Sequence, residues 1–404
     1  GTSIIKGLLE GDDVIATADA MRAMGADIKR ISGGNYEITG TKGILKSPNH
    51  KIDCGNSGTS IRLLSGLIAG AGIDATMVGD ASLSKRPMNR VINPLQEMGA
   101  QIEGDNEGRP PLKIKASKLK PISYEMPVAS AQVKSCIMLA GLFCDGITTV
   151  IEQEASRDHT ETMLKAFGVD VDIKQIDDKT HISLKGGQAL KATPITVPSD
   201  PSSAAFFMVA ALIIPKSWIV MPSIMLNPTR AGLITTLQEM GGDIEIKNER
   251  IENGEKLGDI HVRSSNLTGI SVPAERAVSM IDEYPILSVA AAFAKGSTTM
   301  EGLAELRVKE TDRIQAMEDG LKLCRVDVQS TKDSMVVSGQ ETVMGNLENE
   351  AIKTHHDHRI AMSFLVLGLA SQKGVIIDDG SKIATSFPTF LNLMQSLDAK
   401  IEKI

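Results

Sequence analysis

A phrase close to L-x-x-M-G-A-x-I returns along the whole chain: MRAMGADI at 21–28, LQEMGAQI at 95–102, LKAFGVDV at 164–171 and LQEMGGDI at 237–244. Looser copies, LKLCRVDV from Leu321 and MQSLDAKI from Met394, complete a set of six at a spacing of roughly 70 residues. That period is longer than any solenoid unit, so it predicts duplicated α/β subdomains rather than a stacked array. What precedes each phrase repeats as well. Five polar, turn-forming stretches each open an apolar run of about ten residues: GNSGTS before 61–69, ASAQ before 133–143, SDPSS before 204–214, IDEYP before 286–294 and HHDHR before 360–370. A short strand-like segment follows each run, as in GITTVIE and GSTTMEG, and GTSIIKG at Gly1 is a sixth copy of it. By this template a further strand and helix should precede Gly1 in the first repeat.

Within a repeat the expected order is an apolar helix, a strand, a second polar turn, an amphipathic helix and a pair of strands. The first helix is apolar nearly all round, as in 286–293, and should be buried. The second carries an apolar stripe and stops at Gly25, Gly99, Gly168 or Gly241, where a left-handed residue is expected. Strands follow, such as 36–39 and 181–184. The copies group as three plus three, with the join in the proline-containing stretch 195–200, which predicts domains 1–197 and 198–404. The polar helix starts of two such domains are suited to one cleft, because free backbone N–H groups and the helix dipole attract anions.

A formal net charge of −7 argues against broad nucleic-acid binding, since no whole-surface positive field would draw in a polyanion. No apolar run approaches the ~20 residues needed to cross a bilayer. Cys54, Cys136, Cys144 and Cys324 lack C-x-x-C spacing and read as reduced, mostly packed thiols of a cytoplasmic protein.

Chemistry concentrates in a few segments. In Arg307-Val308-Lys309-Glu310-Thr311-Asp312-Arg313, helical spacing would place Lys309 and Arg313 on one face with Glu310 beside them and Asp312 paired locally. Arginines recur at the second polar turn: Arg86 in KRP, Arg157 in SRDH and Arg230 in NPTR. Repetition of a planar guanidinium at matching places suggests phosphate or carboxylate contacts. His355-His356-Asp357-His358-Arg359 reads either as a metal cluster or as a helix N-cap with an anion-facing arginine, and its place before an apolar run favours the cap. Cys54-Gly55-Asn56-Ser57-Gly58-Thr59-Ser60 is a small-residue loop that lets a phosphate approach the backbone. Asp282 and Glu283 stand at another helix start, where capping accounts for one carboxylate and the other can accept a proton from a substrate hydroxyl.

Taken in order, GNSGT, SLSKRPM, ASAQVKS, SRDHTE, DPSSAAF, MIDEYP, LRVKETDRI, DHRIAM and ATSFP resemble the 5-enolpyruvylshikimate-3-phosphate (EPSP) synthase family, the 3-phosphoshikimate 1-carboxyvinyltransferases. KRPM, ASAQVKS and SRDHTE resemble the branch known for glyphosate-tolerant members. The resemblance implies an α/β fold of two similar domains, each of three βαβαββ units around buried helices, closing on the substrates, with the first unit incomplete at the N-terminus. It implies transfer of the enolpyruvyl group of phosphoenolpyruvate to the 5-hydroxyl of shikimate 3-phosphate with release of phosphate, by a monomer without metal or organic cofactor.

Carried over by motif, Asp282 is the base on the 5-hydroxyl, Glu310 the acid/base at the phosphoenolpyruvate methylene, and Lys309 a contact to the reacting centre. Asn56, Gly58, Arg86, Gln132, Arg313 and Arg359 fall on the phosphoenolpyruvate side. Ser130, Gln132, Arg157, Asp282 and Lys309 fall on the shikimate 3-phosphate side, and His358 supports the network. Gly58 stands where tolerant members can carry alanine, so a glyphosate-sensitive site is expected. Two departures stand out. Thr385 occupies a position where many members have lysine, and the family's P-G-D-K-S-x-S-H-R segment belongs to the strand and helix expected before Gly1. The alternative reading is therefore a substrate-binding but impaired fragment that needs a separate N-terminal segment. The related transferase acting on a UDP-linked amino sugar fits less well, since it favours a loop cysteine over KRP and lacks the RVKETDR and DHR pairing.

Overall fold

One sheet pattern recurs through the chain. In the computed structural model, which describes residues 1–346 and 350–404, Ile52–Asp53 lies parallel to Ala75–Val78, which pairs antiparallel with Leu112–Lys115, which pairs in turn with Gln101–Glu103. Ser123–Glu125, Ile147–Glu152, Lys179–Lys185 and Val171–Ile176 repeat that order. So do Ser271–Val272, Ser297–Glu301, Ser334–Ser338 and Asp327–Ser330. Each parallel pair needs a crossover, and the apolar helix supplies it. Thr2–Lys6 has its own parallel neighbour, Ile195–Thr196, so the edge assigned by the template to a strand before Gly1 is taken by a strand from the far end of the same unit. Trp218–Met225 pairs with Glu255–Arg263, which pairs with Asp243–Glu252, and Ser199 bridges Ile224 in parallel.

The chain divides into two units, Gly1–Val197 and Pro198–Ile404. In the first, the core gathers around the helices Gly58–Ala71 and Ala131–Gly141, which pack against each other. They touch backbone to backbone: a Cβ on Gly66 would lie 2.0 Å from the Cys136 carbonyl oxygen, and one on Gly70 would lie 2.9 Å from Ala140 Cα. Glycine is required there by space alone. In the second unit the helices Pro201–Ile213, Tyr284–Ala292 and His358–Ala370 pack on one another, and every residue of Tyr284–Ala292 is buried. Phe206, Phe207, Phe387 and Phe390 interlock beside them at ring-centroid distances of 5.7–6.0 Å.

The amphipathic helices end as their glycines predict: Gly25, Gly99, Gly168 and Gly241 have φ of 107°, 97°, 84° and 89°. The helical spacing expected across 307–313 is not found. Residues Ala304–Val308 form a 3-10 turn, Lys309 is extended, and the α-helix begins only at Arg313 because Asp312 caps it, its side chain accepting from the Gln315 N–H at 3.0 Å. The expected local pairing of Asp312 is present, with Arg307 at 2.7 Å. No described helix is long and apolar enough to cross a membrane.

Candidate functional site

In the second unit the starts of the three buried helices meet. Asp200 caps Pro201–Ile213 by accepting from the Ser202 and Ser203 amides, and Asp357 caps His358–Ala370 by accepting from the Arg359 and Ile360 amides. The third start, at Tyr284, has no such cap. This corrects the expectation that capping accounts for one of the two carboxylates there: Glu283 is buried, accepts from Ser202 Oγ at 2.5 Å and faces Arg359 Nη1 at 3.4 Å. Burial pushes the Glu283 carboxyl above its ordinary range, against the pull of Arg359.

Arg313 ties the cluster together. It is 2 % exposed, and its guanidinium donates from Nε to Asp357 Oδ2 at 2.8 Å, from Nη1 to Asp282 Oδ1 at 3.2 Å and from Nη2 to Glu310 Oε2 at 2.6 Å. Lys309 Nζ stands 3.5 Å from the same Asp282 oxygen, so the extended residue and the helical one reach one carboxylate despite the absence of a shared helix face. Arg359 Nη1 donates to the Asp282 carbonyl oxygen at 3.1 Å. Asp357 is fully buried; desolvation opposes its charge, but the Arg313 guanidinium holds its carboxyl below the usual range. Burial likewise works against the Arg359 charge, and the carboxylates of Asp282, Glu283 and Asp200 outweigh it. His358 is pushed down to about 4, first by burial and then by the neighbouring Arg359 charge, so at neutral pH it is an uncharged imidazole. Arg230, expected on a ligand-facing turn, donates to Asp200 at 2.9 Å and to Ser202 Oγ at 2.7 Å, and so braces a helix start. His356 pairs with Asp379 at 3.0 Å.

The first unit holds a second cluster. The Ser57 side chain caps Gly58–Ala71, and Arg86 Nη2 donates to Asn56 Oδ1 at 2.8 Å while Asn56 donates to Asp80 at 2.8 Å. Gln132 bridges the two buried helices: its Oε1 accepts from Arg62 at 2.8 Å and its Nε2 donates to Thr59 Oγ1 at 2.8 Å. A Cβ on Gly58 would meet Arg62 Nη1 at 2.9 Å and Arg86 Nη1 at 3.2 Å, so both guanidinia face the bare glycine. Burial lowers the Arg62 pKa, and the charges of Arg86 and Arg90 lower it further. Two guanidinia beside a helix N-terminus, with a third like charge near enough to be felt, are an arrangement able to receive an anion. Arg62 is absent from the residues expected above; its signal was a single cation inside an otherwise apolar run. Ser130 caps Ala131–Gly141, its side chain accepting from the Val133 amide at 3.4 Å, and Arg157 lies on the turn between Ile147–Glu152 and His159–Ala166.

Thus Asp282, Lys309, Glu310, Arg313, His358 and Arg359 are gathered in one unit. Asn56, Gly58, Arg86 and Gln132 are gathered in the other. The sequence matches the family described as EPSP synthase (3-phosphoshikimate 1-carboxyvinyltransferase) over residues 1–394. It is 54% identical to the 3-phosphoshikimate 1-carboxyvinyltransferase of Parvibaculum lavamentivorans, covering 99% of this chain and 89% of that protein. It is 52% identical to the protein of that name from Rhizobium johnstonii, covering 100% and 90%. The structure of EPSP synthase from Acinetobacter baumannii superposes with a TM-score of 0.91 at 47% identity, over 100% of this chain and 91% of that one.

Proposed function

The chain belongs to the EPSP synthase (3-phosphoshikimate 1-carboxyvinyltransferase) family, and from that premise we propose which of its residues carry the reaction. The enolpyruvyl group of phosphoenolpyruvate passes to the 5-hydroxyl of shikimate 3-phosphate, and inorganic phosphate leaves. The observation that carries the assignment of roles is the convergence of Lys309 and Arg313 on one oxygen of Asp282. A carboxylate held in that grip is fixed in place, just before the start of the helix Tyr284–Ala292.

Asp282 takes the proton of the 5-hydroxyl as its oxygen attacks C2 of phosphoenolpyruvate. Glu310, more than a third exposed and anchored by Arg313 through one oxygen, delivers a proton to the methylene carbon. The resulting adduct collapses when Glu310 takes a methyl proton back, the C2–O bond to phosphate breaks and the double bond returns. Positive charge at C2 and negative charge on the departing phosphate are both transient, so fixed ionic groups that need no rearrangement supply most of the stabilisation. The family resemblance assigns phosphoenolpyruvate contacts to Asn56, Gly58, Arg86, Gln132, Arg313 and Arg359. It assigns shikimate 3-phosphate contacts to Ser130, Gln132, Arg157, Asp282 and Lys309. His358, uncharged at neutral pH, packs in the network without carrying the proton. Gly58 leaves room for an inhibitor longer than phosphoenolpyruvate, which is the basis for reading the site as glyphosate-sensitive.

A phosphate-release assay with both substrates, run with and without a peptide carrying P-G-D-K-S-x-S-H-R, tests the activity. Asp282→Asn and Glu310→Gln should each lower kcat by about 10²–10⁴. Turnover unchanged in both variants would sink the assignment of the two carboxylates.

A further inference from the structure

The first unit buries an ion cluster that the roles above do not use. Lys134 Nζ lies 2.6 Å from Glu161 Oε1 and 3.2 Å from Glu152 Oε2, and the three side chains are 1 %, 3 % and 3 % exposed. Replacing such a cluster by apolar side chains is often neutral or stabilising, so stability alone does not account for it. Its connections do. Lys134 is on the helix Ala131–Gly141 that Ser130 caps; Glu152 ends the strand Ile147–Glu152; Glu161 is in the first turn of the helix His159–Ala166. Ser156 Oγ donates to the other oxygen of Glu152, and Ser135 Oγ bonds Thr160 Oγ1 at 2.6 Å. One ammonium thus grips both ends of the turn 153–158 and sets its distance from the Ser130 end of the helix. Ala129, Glu152, Gln153 and Glu154 bound an open recess of about 190 Å³ along that turn. One ammonium faces two carboxylates, burial pushes the Glu161 carboxyl above its ordinary range against the pull of Lys134, and Glu161 Oε2 has no hydrogen-bond partner among the described residues.

We propose that Lys134, Glu152 and Glu161 form a positioning unit that fixes the Ser156–Arg157 turn against the start of the 131–141 helix and so sets the affinity for shikimate 3-phosphate. The proposal rests on the assignment of Ser130 and Arg157 to that substrate. It makes the three residues positioning groups, acting through Arg157 and Ser130 and touching no substrate.

Steady-state kinetics of Ser156→Ala, Lys134→Met, the neutral triple variant Lys134→Met/Glu152→Gln/Glu161→Gln, and Arg157→Ala test it. Ser156→Ala and Lys134→Met should raise KM for shikimate 3-phosphate about tenfold while KM for phosphoenolpyruvate moves less than about twofold. The triple variant, which buries no unpaired charge but also lacks the ammonium, should keep KM for shikimate 3-phosphate raised by about tenfold, so that the loss of positioning is read without an orphaned buried charge. An unchanged KM, or equal rises in both KM values, overturns the proposal. If Lys134→Met does not fold, Ser156→Ala and the triple variant decide by the same criteria. Should Arg157→Ala leave KM for shikimate 3-phosphate unchanged, the placement of Arg157 falls and takes the proposal with it. A raised value there beside an unchanged one in Ser156→Ala overturns the positioning role alone.

Discussion

Arg313→Met removes a charge from the best-connected point of the second unit while keeping most of the side-chain length. Three carboxylates lose a partner, and they do not weigh equally. Glu310 is 39% exposed, so its pair with Arg313 is worth no more than about 1 kcal/mol. Asp282 keeps Lys309 at 3.5 Å. Asp357 has no exposure, and its loss of the Nε donor at 2.8 Å leaves a buried charge held by the helix-start amides and the nearby Arg359 charge. Breaking a buried pair in this way costs about 3–5 kcal/mol, and the surviving amide bonds place the expectation near the lower end, about 3 kcal/mol. Urea unfolding at pH 7 measures it. Adding Asp357→Asn, which keeps the cap acceptor but removes the charge, should recover about 2 kcal/mol, because the two changes share one interaction. The sign with pH follows from the folded carboxyl being held low: Asp357 contributes stability that is present above its unfolded pKa of about 4 and lost as pH falls through the folded value. The gap between parent and variant should therefore narrow on acidification. A loss under about 1 kcal/mol at pH 7, or a double variant no better than the single, would refute the account of Arg313.

Gly58→Ala should displace Arg62 and Arg86, whose nitrogens lie 2.9 and 3.2 Å from the new Cβ. It should weaken glyphosate inhibition by at least about tenfold and raise KM for phosphoenolpyruvate by less, read from inhibition curves at several phosphoenolpyruvate concentrations. Cys54, Cys136 and Cys324 are each pushed up to about 12, by burial first, so a thiol-disulfide reagent at pH 8 should react with none of them in the folded protein and with all four cysteines after denaturation. His358, at about 4 when folded against about 6.5 unfolded, takes up a proton on unfolding between those values, so it removes stability as pH falls through that window. His358→Gln should flatten the stability profile there by up to about 1.4 kcal/mol per pH unit, and an unchanged slope would contradict the burial of an uncharged ring.

The repeat was legible because burial imposes a pattern. A helix covered on all sides must be apolar on all sides, so 286–293 could be read from composition alone, and Gly25 or Gly241 marks a stop because the left-handed turn excludes most other residues. The Asp-His-Arg cap was legible for a similar reason, since helix starts have local rules. Pairings across the chain have none. Arg62 and Lys134 are lone cations in apolar runs, and only tertiary packing supplies their partners, Gln132 for one and Glu152 with Glu161 for the other. Residues 309–313 were misjudged because charge spacing was weighed and the capping strength of Asp312 was not. A cap was expected of one carboxylate at 282–283 because of where the pair stands, whereas the partner of Glu283, Ser202, comes from a distant helix start.

The contact of Gly66 and Gly70 with the neighbouring helix has a consequence for how this half of the protein can evolve. With no side chain between the two rods, neither can slide or roll to accommodate a differently sized guest, so the spacing between Arg62 and Gln132 is settled once the chain has folded. New ligand preferences must then come from exchanging atoms at the rim of the cluster, where Gly58 is the smallest available increment, and not from resetting its frame.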